Sequence, residues 1–291
     1  RAVAVAAGRA SPEIFHEKPE QPLAGEGEAP TIAEARVQGR LILVAEDDEI
    51  NQKVILQQLG LLGYAAEIAG NGEEALRLWR NGHYALLLTD LHMPEMDGYM
   101  LTDIIRREEA GRSRIPILAL TANALRGEAS RARTAGMDEY LTKPVLLPAL
   151  RTMLGKWLPQ STETPAATVQ KTEHHRRKTA PVDVAVLKGL VGDDPDTVRE
   201  FLADYRASAR QLADEMHAAI AAGDARHAGA IAHKLKSSSR SVGALALGDL
   251  CAGLENFGRT GDKAAIVQSM AQFDAALVKV EAEIARLLAE Q

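Results

Sequence analysis

Short apolar runs alternate with longer amphipathic segments between residues 40 and 159. The predicted strands are Leu41–Ala45, Ala65–Ala69, Ala85–Thr89, Ile115–Leu120 and Glu139–Thr142. The predicted helices are Asn51–Leu62, Glu73–Asn81, Gly98–Glu109, Leu125–Ala135 and Leu146–Leu158. Because strands that take turns with helices form βαβ units, the pattern predicts an α/β doubly wound domain with a five-stranded parallel sheet.

Residues 182–291 show no strand pattern and contain long amphipathic segments instead. The predicted helices are Val184–Val191, Asp196–Ala222, Asp224–Val242, Leu245–Phe257 and Lys263–Glu290. Since short connections join long helices, this half of the chain is predicted to be an all-α antiparallel helical bundle.

Two segments have the composition of linkers. Residues 1–39 are rich in Pro, Gly and Glu, although residues 1–8 resemble a helix end, so we expect a tail of a preceding domain in a longer polypeptide. Residues 159–181 are rich in Thr, Pro and charge and include two adjacent histidines beside three cations, which favours a solvated linker over a metal site. The predicted domains are therefore 40–158 and 182–291, with no single fixed arrangement implied.

Composition excludes several functions. The net charge of −6 among 291 residues disfavours nucleic acid as a partner. The single cysteine, Cys251, excludes an internal disulfide and a thiolate metal cluster. No apolar run approaches the roughly 18 residues needed to span a bilayer. We expect a cytoplasmic chain without membrane contact, although its full-length parent could be membrane-anchored.

Carboxylates follow two of the predicted strands. Asp90 ends the apolar run Leu86–Thr89, and Glu46, Asp47 and Asp48 follow the first strand. Because parallel strand ends share one edge of a sheet, these side chains should converge and repel one another. A divalent cation resolves that repulsion, and Mg²⁺ prefers oxygen ligands. The sequence therefore predicts a Mg²⁺ site around Asp90.

Two further strand ends supply groups suited to phosphate. Lys143 follows the fifth predicted strand, and Thr121 follows the fourth. An ammonium, a hydroxyl and a metal around one carboxylate predict phosphoryl transfer with Asp90 as the nucleophile, because the cations offset the charge of the phosphoryl oxygens.

Four motifs occur at these strand ends: Ile42–Asp48, Asp90–Gly98, Leu120–Ala122 and Tyr140–Pro144. Together they resemble the receiver domain of two-component response regulators, which implies a flavodoxin-like fold. The resemblance implies that Asp90 is the phospho-acceptor and that Lys143 and Thr121 contact the phosphoryl group. It also implies that Tyr140 is an aromatic switch residue.

The same resemblance implies the metal ligands. Glu46 and Asp47 would form the acidic pair, with Asp47 the direct Mg²⁺ ligand, and the carbonyl of His92 would be a further ligand. Other residues have plainer interpretations: Asp48 as an exposed helix start, Asp97-Gly98 as a turn and helix cap, and Met93 and Met96 as packing. Tyr140 has an ordinary core aromatic as its alternative.

His233 lies between two apolar positions of a predicted bundle helix. Ile231 and Leu235 share a stripe that should face the core, so His233 is predicted to be exposed, with Lys236 and Ser237 on its face. An exposed imidazole beside an ammonium can accept a phosphoryl group and hold its charge.

The run His233–Ser238, followed by Val242-Gly243-Ala244, is similar to the active helix of histidine-containing phosphotransfer domains. Ser237 stands where that family usually has Gly, so partner fit or transfer rate is expected to differ while activity survives. We interpret Glu255 and Cys251 as structural. His217 and His227 lack this setting and are interpreted as surface residues.

These resemblances imply the carboxy-terminal part of a bacterial hybrid sensor histidine kinase. Phosphate would reach Asp90 from an upstream kinase core of the same polypeptide, exchange with His233 and pass to the receiver of a separate response regulator. No glycine-rich nucleotide loop is present, so ATP-dependent kinase activity of this chain is not expected. Three alternatives stay open: a phosphorylation-switched binding module, a phosphate sink and a metal-dependent phosphohydrolase.

Overall fold

Five short strands form one parallel sheet in the first half of the chain. A computed structural model describes residues 29–109, 113–121, 126–158 and 180–290. The strands are β1 (Ile42–Ala45), β2 (Ala66–Ala69), β3 (Leu86–Asp90), β4 (Ile117–Thr121) and β5 (Glu139–Thr142). All neighbours pair in parallel, in the order β2-β1-β3-β4-β5. This confirms the predicted doubly wound fold.

Helices cover both faces of this sheet. They are α2 (Glu49–Leu61), α3 (Gly72–Asn81), α4 (Gly98–Glu108), α5 (Arg126–Thr134) and α6 (Leu147–Trp157). Successive strand residues point to opposite faces, so Leu86 and Leu88 join the core that includes Leu59 and Leu150, whereas Leu87 joins the core that includes Leu101. The run of leucines is thus buried on both sides, as the parallel sheet requires.

A short helix, α1 (Ile32–Val37), precedes the sheet. The composition predicts a linker up to residue 39, and for this helix that prediction is wrong. Thr31 and Glu34 form a reciprocal capping box, and Ala35 is buried with Leu41 and Ala65 at the edge of the domain. The predicted helix end at residues 1–8, the paired histidines of the second linker and Ala122 lie outside the described residues.

The second half of the chain is a helical bundle, as predicted. Its helices are α7 (Val184–Val191), α8 (Pro195–Ala221), α9 (Ala225–Ser241), α10 (Leu245–Thr260) and α11 (Lys263–Ala289). Helices α8 to α11 surround a core that includes Phe201, Leu235 and Phe273. In that core, the hydroxyl groups of Tyr205 and Ser239 are 2.8 Å apart, which connects α8 to the last turn of α9.

The two domains pack against each other through α2. Ile50 and Val54 of this helix are buried in the same apolar cluster as the bundle core. At the margin, Lys53 forms a salt bridge with Asp204 of α8. The composition of the linker implies no fixed arrangement, yet a continuous apolar contact joins the domains in this structure.

Candidate active site

Three carboxylates converge at the carboxyl edge of the sheet. Glu46 and Asp47 follow β1, and Asp90 is the last residue of β3, the neighbouring strand. One ligand oxygen from each lies within 4.8 Å of the others. Glu46 and Asp90 are buried, and Asp47 is half-buried. The parallel register of β1 and β3 therefore creates an acidic pocket, which has the oxygen donors that a hard divalent cation prefers.

Lys143 places its ammonium between two of these carboxylates. Its Nζ is 2.6 Å from Oε2 of Glu46 and 2.5 Å from Oδ2 of Asp90. Burial raises the pKa of Glu46 to about 8, against the attraction of Lys143. Burial also opposes ionisation of Asp90, but Lys143 and His233 outweigh it and lower the Asp90 pKa. The Lys143 ammonium thus stabilises the ionised form of Asp90, but it does not offset the cost of burying a charge on Glu46.

Backbone contacts fix Asp90 and Lys143 in place. The amide of His92 donates to Oδ1 of Asp90 at 3.1 Å, and the amide of Lys143 donates to the carbonyl of Thr121 at 2.7 Å. Thr121 is buried at the end of β4. A Cβ atom on Gly98 would lie 2.2 Å from the carbonyl oxygen of Asp90, so only glycine lets α4 begin so close to the strand end.

Asp48 and Asp97 cap helices, and Tyr140 lies in the sheet. Asp48 caps α2 by accepting the amide hydrogen of Asn51 at 2.9 Å, as predicted, but it is buried rather than exposed because the bundle covers this helix start. Asp97 caps α4 as predicted. Tyr140 is half-buried in β5 at the margin of the core.

His233 on α9 lies beside two charged side chains of the bundle. Its Nδ1 is 2.7 Å from Oε1 of Glu255 on α10, and 3.4 Å from Nζ of Lys236. Lys236 also lies 2.5 Å from Oε2 of Glu255. Together His233 and Lys236 lower the Glu255 pKa to about 2, although burial alone would raise it. The three side chains thus form one connected polar cluster.

The prediction that His233 is exposed is wrong. Only 14% of its side chain is exposed, and Lys236 and Ser237 are buried. The reason is that the first domain covers this face of α9. Glu255, interpreted from the sequence as structural, contacts His233 directly through its carboxylate.

His233 faces the acidic pocket of the first domain. Its ring and that of His92 meet edge to face, with centroids 5.5 Å apart and an interplanar angle of 84°. The next residue, Lys234, places Nζ 3.2 Å from Oδ2 of Asp47. The phospho-acceptor predicted in one domain and the imidazole predicted in the other are thus brought to one site.

Two family models match the chain: the response regulator receiver domain over residues 42–155, and the Hpt domain over residues 200–290. The chain carries a receiver domain followed by an Hpt domain. Receiver and Hpt domains are the domains of a two-component phosphorelay module.

Several known proteins share these domains. The virulence sensor protein BvgS of Bordetella bronchiseptica is 32% identical over 222 residues, covering 74% of this chain and 18% of BvgS. The sensor histidine kinase RcsC of Escherichia coli is 41% identical over 114 residues, covering 39% of this chain and 12% of RcsC. The chain thus spans less than a fifth of either relative.

Among solved structures, the receiver domain of a Pseudomonas aeruginosa sensor histidine kinase, with a magnesium ion in its active-site cleft, is 42% identical. The match has a TM-score of 0.38 and covers 41% of this chain and 97% of that chain. Among the helices described for the present chain, none is both long and apolar enough to cross a membrane.

Three residues of the site escape sequence reasoning: Glu255 within the Hpt domain, and Asn51 and Lys234 at its boundary with the receiver domain. Glu255 is 22 residues from His233 and on a different helix, so no local pattern links them. Asn51 and Lys234 are ordinary polar helix residues until the two domains meet. The weak signal that did exist was Ser237, whose departure from the usual glycine marks the face that contacts the receiver domain.

Proposed function

We propose that this chain passes a phosphoryl group between Asp90 of its receiver domain and His233 of its own Hpt domain, and then to a separate response regulator. One observation carries the proposal: the His233 imidazole lies against the acidic pocket, 5.5 Å from the His92 ring, in a single chain. No large movement is then needed to bring donor and acceptor together, and such proximity supplies much of the rate of group transfer.

Asp90 is the first acceptor in this scheme. A carboxylate oxygen of Asp90 attacks phosphorus of an upstream phosphohistidine, an O–P bond forms, and the N–P bond breaks as the donor imidazole leaves. The lowered pKa of Asp90 keeps the nucleophile ionised. Lys143, 2.5 Å from Asp90 Oδ2, is placed to offset the charge of the phosphoryl oxygens, and Thr121 is proposed to contact one of them.

The chemistry of the pocket fits Mg²⁺. Glu46, Asp47 and Asp90 present three carboxylates. Lys143 pairs with Glu46 and Asp90, and Lys234 pairs with Asp47, so the two ammonium groups leave negative charge for a cation to neutralise. Asp47, Asp90 and the carbonyl of His92 would hold the ion, with Glu46 beside them. When bound, Mg²⁺ supplies positive charge that neutralises phosphoryl oxygens.

The hydrogen bond with Glu255 selects the nucleophilic nitrogen of His233. Because Nδ1 carries the proton that faces Glu255, Nε2 keeps its lone pair. Nε2 attacks phosphorus of phospho-Asp90, the N–P bond forms, and the O–P bond breaks to release the Asp90 carboxylate to Lys143. Glu255 stabilises the positive charge that develops on the ring, and Lys236 holds Glu255 in position.

Several parts of the scheme stay predictions from the sequence: the switch role of Tyr140, the contact of Lys236 with phosphate, the domain boundaries and the cytoplasmic location. The upstream donor is proposed to be the kinase core of a hybrid sensor kinase, since BvgS and RcsC are named as sensors. The final acceptor is proposed to be the receiver domain of a response regulator.

The docked arrangement also favours a second function, a phosphate sink. His233 is only 14% exposed, so in this state it faces Asp90 and not an outside receiver. Phosphate on His233 would then return to Asp90 and be lost to water. In a forward relay, a cognate regulator takes label from His233 faster than hydrolysis removes it. In a phosphate sink, hydrolysis is faster.

The experiment uses the whole chain, Mg²⁺ and ³²P-labelled acetyl phosphate as donor to Asp90. Label on His233 is stable in base and labile in acid, whereas label on Asp90 is labile in base. We expect base-stable label in the unaltered chain, none in His233→Gln and none of either kind in Asp90→Asn. His227→Gln, at an exposed histidine of the same helix, is the matched control. Base-stable label that survives in His233→Gln would refute the proposal.

A further inference from the structure

Three buried polar side chains join across the boundary between α2 and α9. Nδ2 of Asn51 donates to Oγ of Ser237 at 2.9 Å, and Oγ of Ser241 donates to Oδ1 of Asn51 at 3.1 Å. Asn51, Ser237 and Ser241 are 6%, 6% and 4% exposed. Polar groups buried this deeply are costly to leave without partners. The three side chains, here called the Asn51 network, therefore make a specific contact.

Asn51 also connects this network to the acidic pocket. Its Nδ2 lies 3.2 Å from Oε1 of Glu46, so the amide group donates to one domain's carboxylate and to the other domain's hydroxyl. With its oxygen accepting from Ser241, the carboxamide is fixed in orientation at both ends. Asn51 thus contacts both the Hpt domain and Glu46, a residue of the proposed phospho-acceptor site.

The network fixes the position of α9 along the receiver domain. Ser237 lies one helical turn after His233, and Ser241 one turn further, so all three share a face of α9. Asn and Ser have short side chains, and a slip of α9 by one residue, about 1.5 Å, would break both bonds. The flanking pairs, Lys53 with Asp204 and Lys234 with Asp47, are made by long side chains that can follow such a slip.

We propose that the Asn51 network is a specificity-determining contact for phosphotransfer, selecting receivers with a carboxamide at the position of Asn51. An aliphatic residue there would leave Ser237 and Ser241 buried without their receiver partner. A carboxylate at that position would lie beside the carboxylate of Glu46 and be repelled by it. Ser237 in place of glycine is the residue that makes the selection, since glycine has no hydroxyl. The inference rests on transfer from Asp90 to His233.

The first test is a double-mutant cycle in the whole chain. The rate at which label moves from Asp90 to His233 is measured per phosphate loaded on Asp90, with acetyl phosphate as donor. Ser237→Ala is expected to slow transfer about tenfold, the amount for one buried hydrogen bond. Asn51→Ala is expected to slow it at least as much, because it also loses the bonds to Ser241 and Glu46. The double variant is expected to be no slower than Asn51→Ala alone, since the bond is already lost.

The matched control is Ser238→Ala. Ser238 is as buried, but its hydroxyl donates at 3.0 Å to the Lys234 carbonyl in its own helix. It is expected to keep the transfer rate. Thermal unfolding followed by circular dichroism identifies any variant that fails to fold. Independent, multiplicative losses for Asn51→Ala and Ser237→Ala would overturn the inference.

The second test measures selection directly between two chains. The donor chain carries His233→Gln and is loaded on Asp90, and the acceptor chain carries Asp90→Asn. Donors with Asn51 or with Asn51→Leu are compared as kcat/KM. The acceptor with Ser237 is expected to prefer the Asn51 donor about tenfold, and the Ser237→Gly acceptor to lose most of that preference.

The outcomes separate the two proposals. If the unaltered chain places no label on His233, the relay fails and the inference fails with it. If it does place label there, but both acceptors discriminate equally between the donors, only the Asn51 network loses its role.

Discussion

The two oxygens of Glu255 contact the two working groups of α9: one lies 2.7 Å from Nδ1 of His233 and the other 2.5 Å from Nζ of Lys236. The Glu255 carboxylate thus orients the His233 imidazole and forms an ion pair with the Lys236 ammonium. Because the bond is made at Nδ1, it leaves Nε2 as the nitrogen able to attack phosphorus.

Replacing Glu255 should therefore slow transfer more than it harms folding. Glu255→Gln keeps a hydrogen-bond acceptor but removes the charge that stabilises the developing imidazolium, and we expect transfer to His233 to slow about tenfold to a hundredfold. The rate of appearance of base-stable label measures this. Asp249→Asn, which alters an exposed acid of the same helix, is the control. Equal rates for the two variants would contradict the role given to Glu255.

Glu255 should also stabilise the bundle in a pH-dependent way. Its pKa is lowered from 4.5 to about 2, so the folded state holds the ionised form more strongly than the unfolded chain does. The stabilisation is complete above about pH 4.5 and is lost as the pH falls towards 2. We expect about 2 kcal/mol between the unaltered chain and Glu255→Gln at pH 6. Urea unfolding from pH 6 to pH 3 should show the gap closing; a gap that widens in acid would contradict the assignment.

The receiver half of this site follows from sequence because its geometry is local to strand ends. Asp90, Glu46 and Lys143 each follow an apolar run, and the parallel sheet places such ends together whatever else the chain does. Glu255 obeys no such rule. Its contact with His233 depends on how α9 packs against α10. Amphipathic periodicity predicts which face of each helix is buried, but it does not predict which residues of the two helices touch.

Binding of Mg²⁺ should stabilise the folded chain through the acidic pocket. At 100 times its Kd the ion is expected to raise the free energy of unfolding by about 2.7 kcal/mol. Asp47→Asn should abolish most of this gain, because Asp47 is one of the three convergent carboxylates. Asp48→Asn is the control, since asparagine also caps a helix. Thermal midpoints with Mg²⁺ and with a chelator measure the effect, and an equal gain in both variants would place the ion elsewhere.

Gly98 should tolerate no side chain. A Cβ there would lie 2.2 Å from the backbone oxygen of Asp90, and backbone cannot move aside cheaply. We expect Gly98→Ala to cost about 2 to 3 kcal/mol in urea unfolding and to reduce loading of Asp90. Gly155→Ala, at a helical glycine of α6 with open space around it, should instead stabilise by up to about 1 kcal/mol. Similar losses in both variants would show that the close approach is not the cause.

The prediction that His233 is exposed failed for a physical reason. Ile231 and Leu235 are buried in the bundle core as periodicity predicts, and His233 does lie away from that core. Periodicity, however, describes only the fold of one domain. The opposite face of α9 is covered by α2, whose residues Ile50 and Val54 join the bundle core, and the apolar periodicity of α9 does not indicate that second partner.

The salt bridge between Lys53 and Asp204 offers a reversible test of this docking. Both side chains are substantially exposed, at 48% and 35%, so the pair contributes little to stability and acts mainly on how the domains meet. Lys53→Asp should slow transfer from Asp90 to His233 a few-fold, because it sets two carboxylates face to face. Combining it with Asp204→Lys should restore the rate, since the reversed pair attracts again. Added salt should shrink the defect of the single variant. If the double variant is as slow as the single one, the transfer reaction does not proceed through this docked arrangement.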